Sequence, residues 1–363
     1  MKTFLTQPLS PDIKDYNIFL KKIFKKKFFS NDGYYHQLLE KNLKRYLKVN
    51  HVSLTSSGTD ALILILRSFN FPKDSEVITS PFTWVTTANA IKLLNLKPVF
   101  VDIDKYTFNI DTQKIKKHIN KKTVAILATH TFGNICEIEK INKVAKKNDL
   151  KIIYDASHCF GVKAKKNKIK FFNSGDVSFS SFHATKIFHT CEGGIVISKN
   201  KKIIDSIKLL KNNGLKNNYP IALGINSKMS EINAAFGLSI LNKVNKEISI
   251  RKIKNQIYKS NLGNSVQYQI RNNKYFNNFS YFIIVLKSEK ILKKIVLLLK
   301  KKNIDCRRYF YPSLNKLKFY GKTYKQLSFS EKISKTILSL PIYSSLSERK
   351  INEICNIILK INR

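Results

Sequence analysis

The sequence predicts an α/β protein, with a mainly parallel sheet covered by helices on both faces and a smaller α+β unit after it. Three observations carry this expectation. Short apolar runs alternate with helical patterns from His51 to His158. The alternation then gives way to two β-type runs, "GDVSFSSF" and "GGIVISKN". Beyond residue 245 the pattern changes again. A chain of 363 residues is long enough for one large core and a second, smaller one. The expected division is a large domain over 1–245 and a small domain over 246–363.

Taken in order, "DGYYHQLLEKNLKRYL" spaces leucines and aromatics as an amphipathic helix does. "HVSLTSSGTDALILILRSFNF" reads as a short strand, a Ser-Ser-Gly-Thr turn and an apolar helix. "SEVITS", "KPVFVDID", "TVAILATH" and "LKIIYDASH" read as strands; "TTANAIKLLNL", "DTQKIKKHI" and "EIEKINKVAKKN" read as the helices between them. Strands that are apolar almost throughout, each followed by a helix, argue for a parallel sheet buried on both sides. In the last third, "SYFIIVLK", "KILKKIVLLLKKKNI" and "RKINEICNIILKI" suit a smaller α+β domain.

The formal charge of +42 invites a nucleic-acid reading. The lysines, however, run from end to end beside equally heavy use of Asn and Ile, as in "KKIFKKKFF" and "KAKKNKIK". A nucleic-acid face concentrates its charge and interleaves aromatics. The charge is therefore read as solvated surface, and neither nucleic acid nor membrane is expected as a partner. There is no apolar run long enough to span a bilayer and no apolar leader segment, so the expected location is the cytoplasm. Five scattered cysteines suit a reducing compartment and show no paired metal spacing.

Three short stretches carry chemistry. In "SSGTDAL" a strand opens into a helix, which gathers free N–H groups and a positive dipole end at one point. Phosphate is the common occupant of such a turn, although simple capping by Ser57 or Thr59 also explains it. In "IIYDASH", Asp155 ends an apolar strand at the edge where α/β sheets collect ligands. A carboxylate there needs a cation or several hydrogen bonds to stay ionised; helix capping is the bland alternative. His158, three residues on, has no second ligand at metal spacing and suits hydrogen bonding. In "SSFHATKIFHTCEGG", Lys186 stands among small, hydroxylated and aromatic residues. Desolvation lowers a lysine's pKa and supplies the neutral amine that attacks a carbonyl. The three pieces fit pyridoxal phosphate, which takes a lysine at its aldehyde, a carboxylate at its ring nitrogen and an anion cradle at its phosphate. Trp84, in "SPFTWVTTANAI", is the sole tryptophan and offers an aromatic face, with ordinary core packing as the alternative.

The ordered set "FFSNDGYYHQLLEKNL", "SSGTDAL", "SPFTWVTTANAI", "PVFVDID", "THTFGNICEIEKI", "DASHCFG", "GDVSFSSFHATKIFHTCEGG", "GINSKMSEINAAFGLSIL", "RRYFYP" and "LSLPIY" resembles the DegT/DnrJ/EryC1/StrS family over nearly the whole chain. These are pyridoxal-phosphate-dependent nucleotide-sugar aminotransferases of fold type I. The resemblance implies that Lys186 bonds the cofactor's aldehyde and then shuttles a proton, and that Asp155 pairs with the ring nitrogen. It places His158 near the phenolic oxygen and Trp84 on the ring. Ser181 and the backbone amides of Thr59 and Asp60 would hold the phosphate. Asn226 matches a residue that reaches the phosphate from a neighbouring subunit, which implies a homodimer with shared sites.

Dehydratases of the family carry histidine at the position of Lys186, so lysine favours amino transfer. The form "HATK…EGG" resembles the branch that aminates C4. The implied reaction moves an amino group, with glutamate as donor, to C4 of a dTDP- or UDP-linked 4-keto-6-deoxyhexose. The product is a 4-amino-4,6-dideoxy sugar for O-antigen or another surface glycan. A C3-aminating or dehydratase relative is the alternative within the family, and a basic nucleic-acid-binding or regulatory protein is the alternative outside it. Arg307 and Arg308 are candidates for an anionic substrate, with a surface role equally open.

Overall fold

A computed structural model describes residues 2–166, 171–320 and 327–362. Its centre is a seven-stranded sheet built from β1 (His51–Thr55), β2 (Glu76–Thr79), β3 (Lys97–Phe100), β4 (Thr123–Thr129), β5 (Lys151–Asp155), β6 (Val177–Ser181) and β7 (Gly194–Ser198). Their spatial order is β1-β7-β6-β5-β4-β2-β3. The run from β3 to β6 is parallel, whereas β7 is antiparallel to both β6 and β1.

Alternation along the strands feeds two layers of helices. Val77, Leu127, Ile153 and Val177 face one side, where they meet Ala61, Leu62 and Ile65 of α3 (Gly58–Ser68), Ile91 of α4 (Thr86–Leu93) and Ile204 of a helix over Lys201–Leu210. Ile78, Ile126, Ile152 and Tyr154 face the other side, against Ile141 and Val144 of a helix over Ile138–Lys147. At the β1 end, Val52 and Leu54 pack on Leu39 and Leu43 of α2 (Tyr34–Leu47). Both faces are covered, which is why the strands read as nearly unbroken apolar runs.

One stretch differs from the sequence expectation. "KKIFKKKFF", read as solvated lysine, lies largely within α1 (Ile13–Lys26) and its exit. Asp12 caps this helix by accepting the Lys14 N–H at 2.8 Å. Ile23 is buried in the core beside α2, while the lysines take the outer face. Burial of one narrow stripe is enough to dock a helix whose composition is otherwise that of a surface.

Beyond the helix over Val244–Leu262, Phe282–Val285 pairs antiparallel with Ile337–Leu340. Phe282, Ile284, Leu338 and Leu340 enter one core with Tyr258, Leu292 and Ile354. The alternate residues Ile283, Val285 and Ile337 turn instead to Phe82, Phe132 and Phe310. That second cluster presses the segments around Tyr281 and Arg307–Phe310 against the end of the large sheet. None of the described helices is long and apolar enough to cross a membrane.

Candidate active site

Strand register brings the chemistry to one edge. Thr129 lies opposite Asp155, and both Ser181 and Thr55 lie opposite Gly194. The ends of β1, β4, β5 and β6 therefore meet there, together with the start of β7. A cavity of about 240 Å³ opens on this edge, lined among others by Ser57, Gly58, Thr59, Trp84, Asp155, His158, Ser181, Lys186, Tyr281, Arg307 and Tyr309.

Lys186 rides on the loop from β6 to β7. Phe182 N–H donates to Gly193 O at 2.8 Å and Thr190 N–H to Phe182 O at 2.9 Å, which closes the loop at its base. Ile187 and Phe188, next in sequence, are buried in the core, with Phe188 stacked on Phe160 at 4.3 Å. This anchorage fixes where Lys186 points. Its Nζ donates to Tyr281 Oη at a long 3.4 Å, the one hydrogen bond the amine makes among the described residues. Burial holds the ammonium below its usual range, and the neighbouring Asp155 charge partly opposes that shift.

Asp155 is buried, and Ser157 N–H donates to its Oδ1 at 2.9 Å. The Ser157 side chain also hydrogen-bonds the carboxylate, and no cation is paired with it among the described residues. Burial pushes the carboxyl up, against the Ser157 contact and the Lys186 charge. A cationic ring nitrogen beside it would return it to the carboxylate. His158 Nδ1 accepts the Phe132 N–H at 3.1 Å, so the ring proton of the neutral imidazole sits on Nε2. Burial first, and the Lys186 charge second, hold His158 well below its usual range and keep it neutral.

The anion cradle is the first turn of α3 packed on the end of β6. A Cβ on Gly58 would stand 2.7 Å from Ser181 Cβ and 2.9 Å from Ser181 Cα, so only glycine permits this approach. The amide of Asp60, expected to hold phosphate, donates instead to Ser57 Oγ at 3.0 Å. Its carboxylate accepts from Ser56 Oγ, and Asp60 does not line the cavity. Capping by Ser57 consumes this third N–H, which leaves Gly58 and Thr59 as the free amides, with Ser181 Oγ opposite. Trp84 lines the cavity at 46% exposure, its ring beneath the Arg307 guanidinium at 5.2 Å. Asn226 stands outside its own chain's cavity, exposed, with its Oδ1 accepting from Lys228 Nζ at 2.7 Å.

Pyridoxal 5′-phosphate has an aldehyde, a ring nitrogen, a phenolic oxygen and a phosphate. The cavity offers Lys186, the Asp155 carboxylate, the Nε2–H of His158 and the Gly58–Thr59–Ser181 cradle in turn. Fold and cavity together are those of a fold type I pyridoxal-phosphate enzyme. The chain belongs to the DegT/DnrJ/EryC1/StrS aminotransferase family, whose profile matches residues 13–359. It is 38% identical to a dTDP-4-amino-4,6-dideoxy-D-glucose transaminase of Shigella dysenteriae over 99% of this chain and 98% of the relative. A protein of the same name from Escherichia coli is also 38% identical, over 98% and 97%. Among solved structures, DesI in the presence of its TDP-sugar product superposes with a TM-score of 0.93 at 26% identity, over 100% of this chain and 93% of that one. The protein is thus an aminotransferase that works with pyridoxal phosphate.

Several lining residues escaped sequence reasoning. Tyr281, in the run "SYFIIVLK", and Tyr309, in "CRRYFYP", were given no role by the sequence. Glu192 lines the rim, and its carboxylate lies 3.4 Å from His183 Nε2. His189, left without a role by the sequence, is structural: Nδ1 accepts the Cys191 N–H at 3.2 Å, so Nε2–H donates to Leu9 O at 2.9 Å and ties down the N-terminal segment.

Proposed function

We propose that the protein transfers an amino group from glutamate to C4 of a nucleotide-linked 4-keto-6-deoxyhexose, dTDP-linked in first place, giving a 4-amino-4,6-dideoxy sugar for a surface glycan. The similarity to the Shigella transaminase over almost the full length of both chains carries the choice of C4. Lysine at position 186, where dehydratase relatives hold histidine, supports amino transfer.

Bound pyridoxal phosphate supplies an aldehyde that carries the amino group and a ring that accepts electrons from the carbon losing its proton. The remaining work falls to the chain. Lys186 Nζ takes the proton from Cα of glutamate and, in the return half, delivers one to C4 of the sugar. A buried amine whose pKa is lowered by burial suits both tasks, because it gives up its proton more readily than an exposed lysine. Asp155 keeps the ring nitrogen charged, and Ser157 orients its carboxylate. His158 would donate from Nε2 to the phenolic oxygen; Gly58, Thr59 and Ser181 would hold the phosphate, and Trp84 would cover the ring.

The same reading makes the enzyme a cytoplasmic homodimer, folded as domains 1–245 and 246–363, in which Asn226 reaches the neighbour's phosphate. Support comes from the surface around Asn226, where Tyr219, Ile221 and Leu223 are 70%, 54% and 77% exposed in the single chain. An apolar cluster of that kind beside a polar reaching residue fits a subunit contact. Incubation with a dTDP-4-keto-6-deoxyhexose and glutamate tests the reaction: 2-oxoglutarate and a C4 amine are expected by NMR. A C3 amine or a 3-deoxy product overturns it.

A further inference from the structure

We propose that Arg307 is the residue that recognises the amino donor, by pairing with the carboxylate on the donor's reacting carbon. The inference rests on the aminotransferase reading above and assigns a role within that site.

Among the described residues, four charged ones line the cavity besides the histidines: Asp155, Lys186, Glu192 and Arg307. The ring nitrogen claims Asp155 and the aldehyde claims Lys186. Glu192 is an anion, 61% exposed at its side chain. Among the described residues, Arg307 is therefore the one permanent positive charge on the lining left for an anionic substrate. It has no carboxylate partner among the described residues. Its sequence neighbour makes the contrast: Arg308 donates to Glu289 Oε1 at 2.9 Å and lies over Tyr311 at 3.4 Å. Of the two arginines in "CRRYFYP", one is committed to a surface pair; the other faces the cavity, with the Tyr309 hydroxyl as a neutral partner and no carboxylate among the described residues.

Arg307 is also held in place. Its guanidinium carbon lies 5.2 Å from the Trp84 ring centre and 5.1 Å from that of Tyr309, and the two rings are 6.5 Å apart. The backbone of Arg307 is locked to Ser339 in both directions, at 3.1 and 2.8 Å. Contact with aromatic faces leaves the N–H edges of a guanidinium free, and those edges match a carboxylate two bonds at a time. Tyr309 packs at 5.9 Å on Tyr281, whose hydroxyl accepts from Lys186 Nζ. Arg307 thus stands two rings from the proton-transferring amine. In an amino acid the carboxylate is one bond from the carbon that loses its proton. In the sugar nucleotide the phosphates leave from C1, across the ring from C4, so their charge lies farther from Lys186.

The two half-reactions separate these possibilities. Cofactor-loaded enzyme is mixed with glutamate alone, or amino-loaded enzyme with the 4-keto sugar nucleotide alone, and the cofactor absorbance change is followed against ligand concentration. Binding of unreactive 2-methylglutamate is measured in parallel by calorimetry. Arg307→Gln is expected to weaken glutamate and 2-methylglutamate about 10- to 150-fold. It should leave the limiting rate and the sugar-nucleotide affinity within about threefold. Arg307→Lys should recover part of the loss, and it serves alone if the glutamine variant does not fold. A loss confined to the sugar nucleotide, or no loss in either half, overturns the assignment. If wild-type enzyme shows no absorbance change with glutamate, the choice of donor falls, and the assignment with it.

Discussion

The close approach of Gly58 to Ser181 makes the most demanding prediction. Gly58→Ala places a methyl 2.7 Å from Ser181 Cβ and 2.9 Å from Ser181 Cα, where carbon atoms normally settle at about 3.5–4.0 Å. About 1 Å of movement is required. β6 cannot supply it, because the strand is paired on both sides, to β5 and to β7. The first turn of α3 must move, and with it the free amides of Gly58 and Thr59. A hydrogen bond to a charged group is worth about 1.5–3 kcal/mol, so losing one weakens phosphate binding by about 10- to 150-fold. Global stability should move much less. Alanine is favoured over glycine in a helix by up to about 1 kcal/mol, and overpacking costs about 1–3 kcal/mol. The assay is an absorbance titration of cofactor-stripped protein with pyridoxal phosphate and, separately, with pyridoxal. Gly58→Ala should cost the phosphorylated form at least tenfold and leave pyridoxal within about threefold. Equal losses for both ligands, or no loss at all, would refute the cradle.

Other outcomes follow from the same geometry. Lys186→Ala should abolish the borohydride-reducible chromophore and lower amino transfer by at least about 1,000-fold, since both bonding and proton transfer go with the amine; a reducible band that persists in this variant argues for another lysine. Asp155→Asn should retain the cofactor yet slow turnover by about 100-fold or more, because the charge opposite the ring nitrogen is lost; unchanged turnover removes Asp155 from its role. His130 and His189 are held by burial at about 3 and about 4, below their ordinary value near 6.5. Their folded pKa values are depressed, so the unfolded chain binds protons first, and stability present above about pH 6.5 is lost as pH falls. The loss at pH 5 is about 2 kcal/mol for each, read as a shift in urea midpoint, and a flat profile from pH 8 to 5 refutes it.

The parallel sheet and its edge were legible because buried strands, unlike most helices here, leave runs too apolar to hide among lysines. "TVAILATH" and "LKIIYDASH" are examples, and Asp155 and Lys186 follow such strands closely. Helix α1 was hidden for the opposite reason: Ile23 alone is fully buried, and a single buried position gives no period to read. The amide of Asp60 is turned to a local partner whose choice the sequence did not announce. Local sequence announces a capping residue but not whether its oxygen turns inward to the third N–H, as Ser57 does. Tyr281 and Tyr309 were unreadable as site residues, because their place depends on how the 282–285 and 337–340 pair turns one face toward Phe82 and Phe132.

Two buried lysines show what separates a reagent from a brace in so basic a chain. Lys211 is 0% exposed, more deeply covered than Lys186, and burial lowers its pKa as well. Yet its Nζ donates to Asp32 Oδ1 at 3.0 Å and to Leu54 O at 3.0 Å, with His36 Nε2 at 3.3 Å. Every proton of that ammonium has a partner, and the lysine pins α2 and the segment after Lys201–Leu210 to β1, just ahead of the anion cradle. Lys186 keeps one long contact and a carboxylate nearby that is oriented elsewhere. Desolvation is common to both, so desolvation alone does not make a nucleophile; donors left unspent do. Lys211→Met should therefore act on stability, by about 2–4 kcal/mol in denaturant midpoint, through the stranded Leu54 carbonyl and Asp32. Whatever folded Lys211→Met enzyme remains should keep the wild-type pH dependence of its cofactor absorbance. A shift in that pH dependence would mean that Lys211 belongs to the chemistry after all.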